Sequence, residues 1–187
     1  MTLQTEFDRD GLITAIKQQA LKIGNFTLAS GKQAKYYLDC RQVTLDSRTA
    51  TIVADGMLAT IFARYRPVAV GGMAVGAVPI TAAMLARAEP MGHALRGFFV
   101  RKEAKQHGAG RQIEGPVQEG DDVVVVEDVV TTGGSALQAI DACQEFGLQV
   151  AGVVAIVDRL EGGREAFAAR GIELTTLLTV DDLGVER

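Results

Sequence analysis

VVVVEDVVTTGGSA, residues 123–136, places two adjacent carboxylates, Glu127 and Asp128, directly after four consecutive valines. Four valines in a row predict a strand that is buried on both faces, as in a parallel sheet. Apolar residues at helical spacing follow the two glycines, so the turn leads directly into a helix N-terminus. The segment therefore predicts a strand–turn–helix unit with polar side chains at the carboxyl end of the strand.

The chain repeats this alternation of apolar runs and helical patterns from about residue 65 onward. Strands are predicted in PVAVGG (67–72), HALRGFFVRK (93–102), LQVAGVVAIVDR (148–159) and ELTTLLTV (173–180). Helices are predicted in GAVPITAAMLARA (76–88), SALQAIDACQEFG (135–147) and GGREAFAARG (162–171). Near-continuous apolar strands that alternate with helices predict an α/β fold, with a parallel sheet flanked by helices on both faces.

The first 65 residues follow a different pattern. Helices are predicted in TEFDRDGLITAIKQQALKIG (5–24) and SRTATIVADGMLATIFARY (47–65), and two short strands are predicted around the turn ASGKQ (29–33). We expect a single domain, residues 1–187, made of two parts. A small N-terminal hood of about residues 1–45, joined by the C-terminal segment, is attached to an α/β core of about residues 46–160.

The composition disfavours several classes of protein. A net charge of −4 argues against broad nucleic-acid binding, which needs a positive surface. No stretch approaches the roughly 18 apolar residues of a membrane span, and the N-terminus lacks the basic and apolar regions of a signal peptide. The cysteines, Cys40 and Cys143, form no disulfide or metal-binding pattern, and Cys143 is expected in the core. We expect a cytoplasmic protein without nucleic-acid or membrane partners.

The turn after Asp128 has the composition of a phosphate site. Ligands bind at the carboxyl ends of parallel strands, and exposed N–H groups at a helix start attract anions. Small and hydroxyl-bearing residues occupy this turn, namely Thr131, Thr132, Gly133, Gly134 and Ser135. The carboxylates of Glu127 and Asp128 suit sugar hydroxyls or a magnesium-bound water, so the segment is typical of a phosphoribosyl site. The alternative is a polar strand end with Ser135 as a helix N-cap.

This segment resembles the signature of the type I phosphoribosyltransferases. Three further motifs resemble the orotate phosphoribosyltransferases of that family: the hood NFTLASGKQAKYYLD (25–39), the loop RKEAKQHGAG (101–110) and the strand end VDRLEGG (157–163). The resemblance implies a type I phosphoribosyltransferase-like parallel sheet with a small N-terminal hood. It also implies magnesium-dependent transfer of a phosphoribosyl group from 5-phosphoribosyl 1-pyrophosphate (PRPP) to orotate, by a homodimer whose loops reach the partner's site.

The resemblance also implies roles for individual residues. The residues expected to be catalytic are Lys105, His107 and Asp128. The residues expected to bind PRPP are Arg101, Lys102, Lys105, His107, Glu127, Asp128, Val129, Val130, Thr131, Thr132, Gly133, Gly134 and Ser135. Thr131 and Arg159 are expected to bind orotate, with Arg159 as a planar fork for its carboxylate; the alternative for Arg159 is an ion pair with Asp158. Magnesium is expected to be held mainly through PRPP or pyrophosphate, without metal ligands from the protein.

Two positions depart from the family pattern, since many members carry lysines where this chain has Ala29 and Val75. Backbone N–H groups around residues 72–76 are then expected to hold the pyrophosphate. In the hood, Tyr36 and Tyr37 are expected to cover the base. The alternative is that they belong to an ordinary edge strand, which the sequence KYYLD suits nearly as well.

Two other functions remain open from the sequence. One is a phosphoribosyltransferase for another nucleobase, and the carboxylate-reading Arg159 favours orotate over it. The other is a non-catalytic regulator that senses PRPP and binds RNA. Such a regulator needs a basic face, and here the main basic cluster already belongs to the loop of residues 101–115.

Overall fold

The computed structural model of the protein describes residues 7–27, 33–103 and 112–185. Its strands are β1 (Leu21–Thr27), β2 (Gln33–Leu38), β3 (Ala69–Met73), β4 (Arg96–Val100), β5 (Ile113–Glu114), β6 (Asp122–Val130), β7 (Gln149–Asp158) and β8 (Leu174–Thr179). Its α-helices are α1 (Arg9–Ala15), α2 (Arg41–Thr44), α3 (Ser47–Arg64), α4 (Ala77–Ala88), α5 (Gly134–Phe146) and α6 (Gly163–Ala168). A π-helical turn (Ile16–Ala20) follows α1, and short 3₁₀ helices span Glu89–Met91 and Val180–Leu183.

The central sheet has the strand order β5–β4–β3–β6–β7–β8. The strands from β4 to β8 in this order are parallel to their neighbours, and β5 pairs antiparallel with β4. The predicted α/β fold with a parallel sheet is therefore confirmed. β5 lies within residues 101–115, which the sequence predicts as a loop, because two residues are too few to produce a periodic pattern.

The valines of β6 show why its sequence is apolar without interruption. Val124 and Val126 pack on one face of the sheet, in a cluster with α3 and α4. Val123 and Val125 pack on the opposite face, in a cluster with α5 and α6. All four side chains are fully buried. β6 therefore lies in the interior of the protein. The acidic pair follows these valines toward the carboxyl end of the strand.

Each of these two clusters contains one cysteine. Cys40 belongs to the α3–α4 cluster and Cys143 to the α5–α6 cluster, and both are buried free thiols. The predicted core position of Cys143 is confirmed. Burial raises the pKa of the Cys143 thiol to about 12.

The hood contains an antiparallel two-stranded sheet, β1 with β2, as the sequence predicts. The helix predicted over residues 5–24 is too long, because the helical segment ends at Ala20 and Leu21 begins β1. Leu21 pairs with Leu38 of β2, and this pairing overrides the helical pattern of the segment. Residues 29–32 of the predicted turn lie outside the described part of the chain.

The hood and the C-terminal end of the chain share a core. Leu12 and Ile16 lie in the same buried cluster as Val180 and Leu183, together with α3 and one face of the sheet. β8 lies beyond residue 160, the approximate end expected for the α/β core, and yet it is the edge strand of the central sheet. The core sheet therefore extends to the end of β8. Across the three described ranges, no helix is long and apolar enough to cross a membrane.

Candidate active site

The turn between β6 and α5 is shaped by glycine. Gly133 has a φ of +83°, in the left-handed region, and a Cβ there would lie 3.1 Å from the ring of Phe167. The helix starts at once, since the N–H of Leu137 donates to the carbonyl oxygen of Gly133 at 2.9 Å. Gly133 is thus the N-cap and Ser135 lies inside the first helical turn. The alternative interpretation, with Ser135 as the N-cap, is wrong.

A small pocket of about 30 Å³ lies at this turn. Its walls are Glu127, Val129, Val130, Thr131, Gly133, Gly134, Ser135 and Ala136. Gly163, the first residue of α6, supports the turn from behind. A Cβ at Gly163 would lie 2.4 Å from the side chain of Val130 and 2.7 Å from the carbonyl oxygen of Thr131. The structure therefore places Glu127 and most of the predicted phosphate-binding residues in one pocket. Thr132 is exposed and is not one of the lining residues.

Glu127 is a buried carboxyl in the wall of this pocket, with 6% of its surface exposed. The N–H of Asp128 donates to its Oε1 at 3.3 Å, and its Oε2 has no hydrogen-bond partner among the described residues. Burial, followed by the neighbouring charge of Asp128, raises the pKa of Glu127 well above its usual range. Because an unpaired buried polar atom is costly, this oxygen suits a ligand that can hydrogen-bond to it.

Asp128 is half-buried and faces the loop between β3 and α4. Its Oδ1 accepts a hydrogen bond from the N–H of Val129 at 2.9 Å. A Cβ at Gly76, the N-cap of α4, would lie 2.9 Å from the same oxygen. In that loop the side chain of Val75 is 72% exposed. The backbone of residues 72–76 thus comes next to the acidic pair, where we expect it to hold pyrophosphate.

Arg159 follows the last residue of β7 and is only 9% exposed. Its backbone N–H donates to the carbonyl oxygen of Val130 at 2.9 Å, which holds the ends of β6 and β7 together. Its Nε donates to the hydroxyl of Tyr36 at 2.9 Å, and its Nη2 lies 2.8 Å from Oε1 of Glu161. The alternative ion pair with Asp158 does not form.

Asp158 instead supports the turn after β7. It is fully buried, its Oδ1 accepts the N–H of Leu160 at 2.8 Å, and its Oδ2 lies 3.4 Å from Nη2 of Arg164. Sequence reasoning missed this role and missed Glu161 as a partner of Arg159. The only local signal for a turn was the pair of glycines after Glu161.

The two hood tyrosines occupy different positions. Tyr36 is buried, with the guanidinium of Arg159 lying 4.6 Å from its ring centroid. Tyr37 is 38% exposed and its ring centroid lies 5.9 Å from that of Phe26. Tyr36 thus reaches the candidate site through Arg159, and contact of either ring with a base stays a prediction.

The loop after β4 is described only at its base. The N–H of Arg101 donates to the carbonyl oxygen of Gln112 at 2.9 Å, which closes this base. The Nε of Arg101 donates to Oε1 of Glu114 at 3.1 Å, and Lys102 is exposed. The predicted catalytic residues Lys105 and His107 lie outside the described residues, as does Ala29.

No group of three or more His, Cys, Asp and Glu side chains that could hold a metal ion occurs within the described ranges. Of the acidic pair, Glu127 lines the pocket. Its unpaired Oε2 is compatible with a hydroxyl or a metal-bound water as partner.

Known proteins are similar to this chain in sequence and in fold. The model of the phosphoribosyl transferase domain family matches residues 45–173. The orotate phosphoribosyltransferase of Rhodopirellula baltica is 54% identical over 180 residues, which cover 94% of this chain and 93% of that protein.

Solved structures of the Mycobacterium tuberculosis orotate phosphoribosyltransferase are similar to this one. Its complex with Fe(III) dicitrate superposes with a TM-score of 0.85 at 38% identity, and covers 95% of this chain and 99% of that chain. Its complex with PRPP gives a TM-score of 0.82 at 35% identity, with the same coverage of 95% and 99%. By the family model and by identity along nearly the whole of both chains, the protein belongs to the orotate phosphoribosyltransferase family.

Proposed function

We propose that the protein transfers the phosphoribosyl group of PRPP to orotate, which yields orotidine 5′-monophosphate and pyrophosphate for pyrimidine (UMP) biosynthesis. The observation that carries this proposal is that two kinds of group lie at the ends of neighbouring strands. The carboxyl end of β6 presents the acidic pair and the glycine turn, and the end of β7 presents the guanidinium of Arg159. The names of the relatives and of the neighbour solved with PRPP support both substrates.

The donor is bound at the pocket below α5. Its 5′-phosphate accepts hydrogen bonds from the N–H groups and hydroxyls of residues 131–135, at the positive end of the helix. Its ribose hydroxyls face Glu127 and Asp128. Glu127 is suited to this role because its unpaired Oε2 can accept a hydrogen bond from a hydroxyl.

The chemistry needs charge neutralisation more than acid–base catalysis. The bond from C1 of the ribose to the pyrophosphate oxygen breaks, C1 bonds to the ring nitrogen of orotate, and the proton of that nitrogen passes to the departing pyrophosphate. Positive charge builds on the ribose as the bond breaks, as in glycoside chemistry. The protein must therefore stabilise the departing pyrophosphate and exclude water.

The loop after β4 supplies cations for that task. Arg101 and Lys102 lie at its base, and Lys105 and His107 are the expected contacts to pyrophosphate in the transition state. Magnesium, held mainly by the donor's phosphates, adds further positive charge. The acidic pair suits a hydrogen bond to a magnesium-bound water better than it suits a complete set of metal ligands.

Orotate is read by Arg159 and by Thr131. Tyr36 and Glu161 engage Nε and Nη2 of the guanidinium, and no described residue hydrogen-bonds to Nη1. The end of the fork that carries Nη1 is therefore available for the substrate's carboxylate. Thr131 would contact the base from the side of the turn.

We also propose a cytoplasmic homodimer in which each loop covers the partner's site. The base of the loop lies at β4 and β5, at the edge of the sheet, and is closed by Arg101 and Gln112. The length of chain between them can reach well beyond its own site, since an extended residue spans about 3.3–3.6 Å.

The decisive assay measures pyrophosphate release by the purified protein with PRPP, magnesium and one base at a time. Orotate should give pyrophosphate and orotidine 5′-monophosphate, whereas uracil, adenine and guanine should not. Turnover with another base and not with orotate would reassign the substrate. Binding of PRPP without turnover of any base would favour the non-catalytic sensor instead.

A further inference from the structure

The side chain of Arg159 is held by two partners that differ in exposure. Tyr36, which engages Nε, is buried, whereas the side chain of Glu161, which engages Nη2, is 41% exposed. The side chain of Arg159 itself is 10% exposed. The carboxylate of Glu161 is therefore already partly solvated, whereas the guanidinium of Arg159 is held inside the protein.

The turn that carries Glu161 is built to aim it at Arg159. Leu160 adopts a φ of +58°, a left-handed conformation that is uncommon for a branched side chain. The buried carboxylate of Asp158 accepts the N–H of Leu160 and stabilises this conformation. Gly162, with a φ of +95°, ends the turn and is the N-cap of α6. The backbone thus folds back and places the carboxylate of Glu161 beside Nη2.

A guanidinium with one positive charge then faces two carboxylates, that of Glu161 and that of the substrate. We propose that Glu161 is a positioning residue that sets how strongly Arg159 binds the carboxylate of orotate, because it competes with the substrate for the same guanidinium. This inference rests on the proposed function. Like charges that converge on one site weaken each other's binding, so the negative charge of Glu161 lowers the affinity for orotate while its oxygen orients Arg159.

Glu161→Gln separates these two effects. The amide keeps an oxygen that can accept from Nη2, so the orientation of Arg159 is retained, and only the competing charge is removed. The KM for orotate should fall by about two- to tenfold, as expected for a partly exposed charge a few ångströms away. The KM for PRPP should stay the same. Inhibition by the neutral carboxamide analogue of orotate should also stay the same, because that analogue carries no charge to compete.

Glu173→Gln is the matched control. Glu173 is also a partly exposed glutamate paired with an arginine, since its Oε1 lies 2.7 Å from Nη1 of Arg64. It precedes β8 and so lies at the edge of the sheet opposite to the carboxyl ends. This variant should leave both KM values unchanged. Thermal unfolding of each variant checks the fold, and Glu161→Ser repeats the test if the Gln variant does not fold.

The outcomes separate the inference from the function on which it rests. A wild-type protein that forms no orotidine 5′-monophosphate overturns the proposed function. An active wild type whose Glu161→Gln variant shows an unchanged or higher KM for orotate overturns the competition, since the charge then plays no opposing role. A fall in the KM for orotate that is matched by stronger inhibition by the carboxamide also overturns it, because the effect would not depend on charge.

Discussion

The hydroxyl of Tyr36 accepts a hydrogen bond of 2.9 Å from Nε of Arg159, and the guanidinium lies over the same ring. The two residues come from β2 of the hood and from the end of β7 in the core. This single contact therefore ties the position of the hood to the residue proposed to read the base. Loss of either partner should affect substrate selection before it affects the overall fold.

Tyr36→Phe tests this connection. The ring is retained and the acceptor for Nε is lost, so the guanidinium is less well oriented. We expect the KM for orotate to rise about two- to tenfold, which is part of the roughly 1.5–3 kcal/mol of a hydrogen bond to a charged group. Tyr65→Phe is the control, since its hydroxyl bonds to Glu173 at the opposite edge of the sheet. An equal rise in both variants would show that the effect does not depend on the contact with Arg159.

Arg159→Ala should weaken orotate binding by about 1.5–3 kcal/mol, the range for a hydrogen bond to a charged group. Affinity for PRPP should barely change, because the turn proposed to bind its phosphate lies between β6 and α5. Equilibrium titration with each substrate measures both effects. Arg170→Ala removes an arginine that pairs with Asp141 on the surface, and should alter neither. Equal losses for both substrates would mean that Arg159 maintains the fold of the site.

Asp128→Asn should lower kcat by about a hundredfold or more, the scale found for groups that stabilise a transition state directly. The change is nearly isosteric, so thermal unfolding should stay close to that of the wild type. Asp141→Asn, at an exposed position of α5, is the control for loss of one carboxylate. Unchanged turnover at saturating substrates would mean that Asp128 is only a polar residue at the end of the strand.

The raised pKa of Glu127 predicts a pH dependence of stability. The folded-state pKa lies above the unfolded value of about 4.5, so this carboxyl contributes fully to the free energy of unfolding below pH 4.5. The contribution is lost as the pH rises through the folded-state pKa. The wild type should therefore lose free energy of unfolding relative to Glu127→Gln, by up to about 1.4 kcal/mol per pH unit within that window. Urea unfolding of both proteins at several pH values measures the difference. If the free energies of unfolding of the two proteins change in parallel from pH 4.5 upward, Glu127 ionises normally in the folded protein.

Mixed dimers test whether the loop acts on the partner's site. Lys105→Ala and Arg159→Ala homodimers should each be nearly inactive. After exchange of subunits mixed one to one, about half of the dimers are mixed, and two-fold symmetry then makes about a quarter of all sites intact. Activity should recover accordingly. If exchange is confirmed and the mixture is no more active than its parents, the loop serves its own subunit.

The centre of the candidate site could be predicted from the sequence because its residues are contiguous. The acidic pair, the glycine turn and the start of α5 follow one another, and each residue's role depends on its immediate neighbours. Tyr36 and Glu161 instead contact Arg159, and the contact of Tyr36 joins segments that are distant along the chain. The sequence predicts a helix at Leu21 for the same reason, since a local pattern does not contain its pairing with Leu38.

The two buried thiols give this protein an internal pair of chemical reporters. Cys40 lies under α3 and α4, and Cys143 lies under α5 and α6, on opposite faces of the sheet. A thiol reagent can modify either one only when its layer opens, because both side chains are fully buried. The two labelling rates, resolved by mass spectrometry, thus compare how often each layer opens, without any engineered probe.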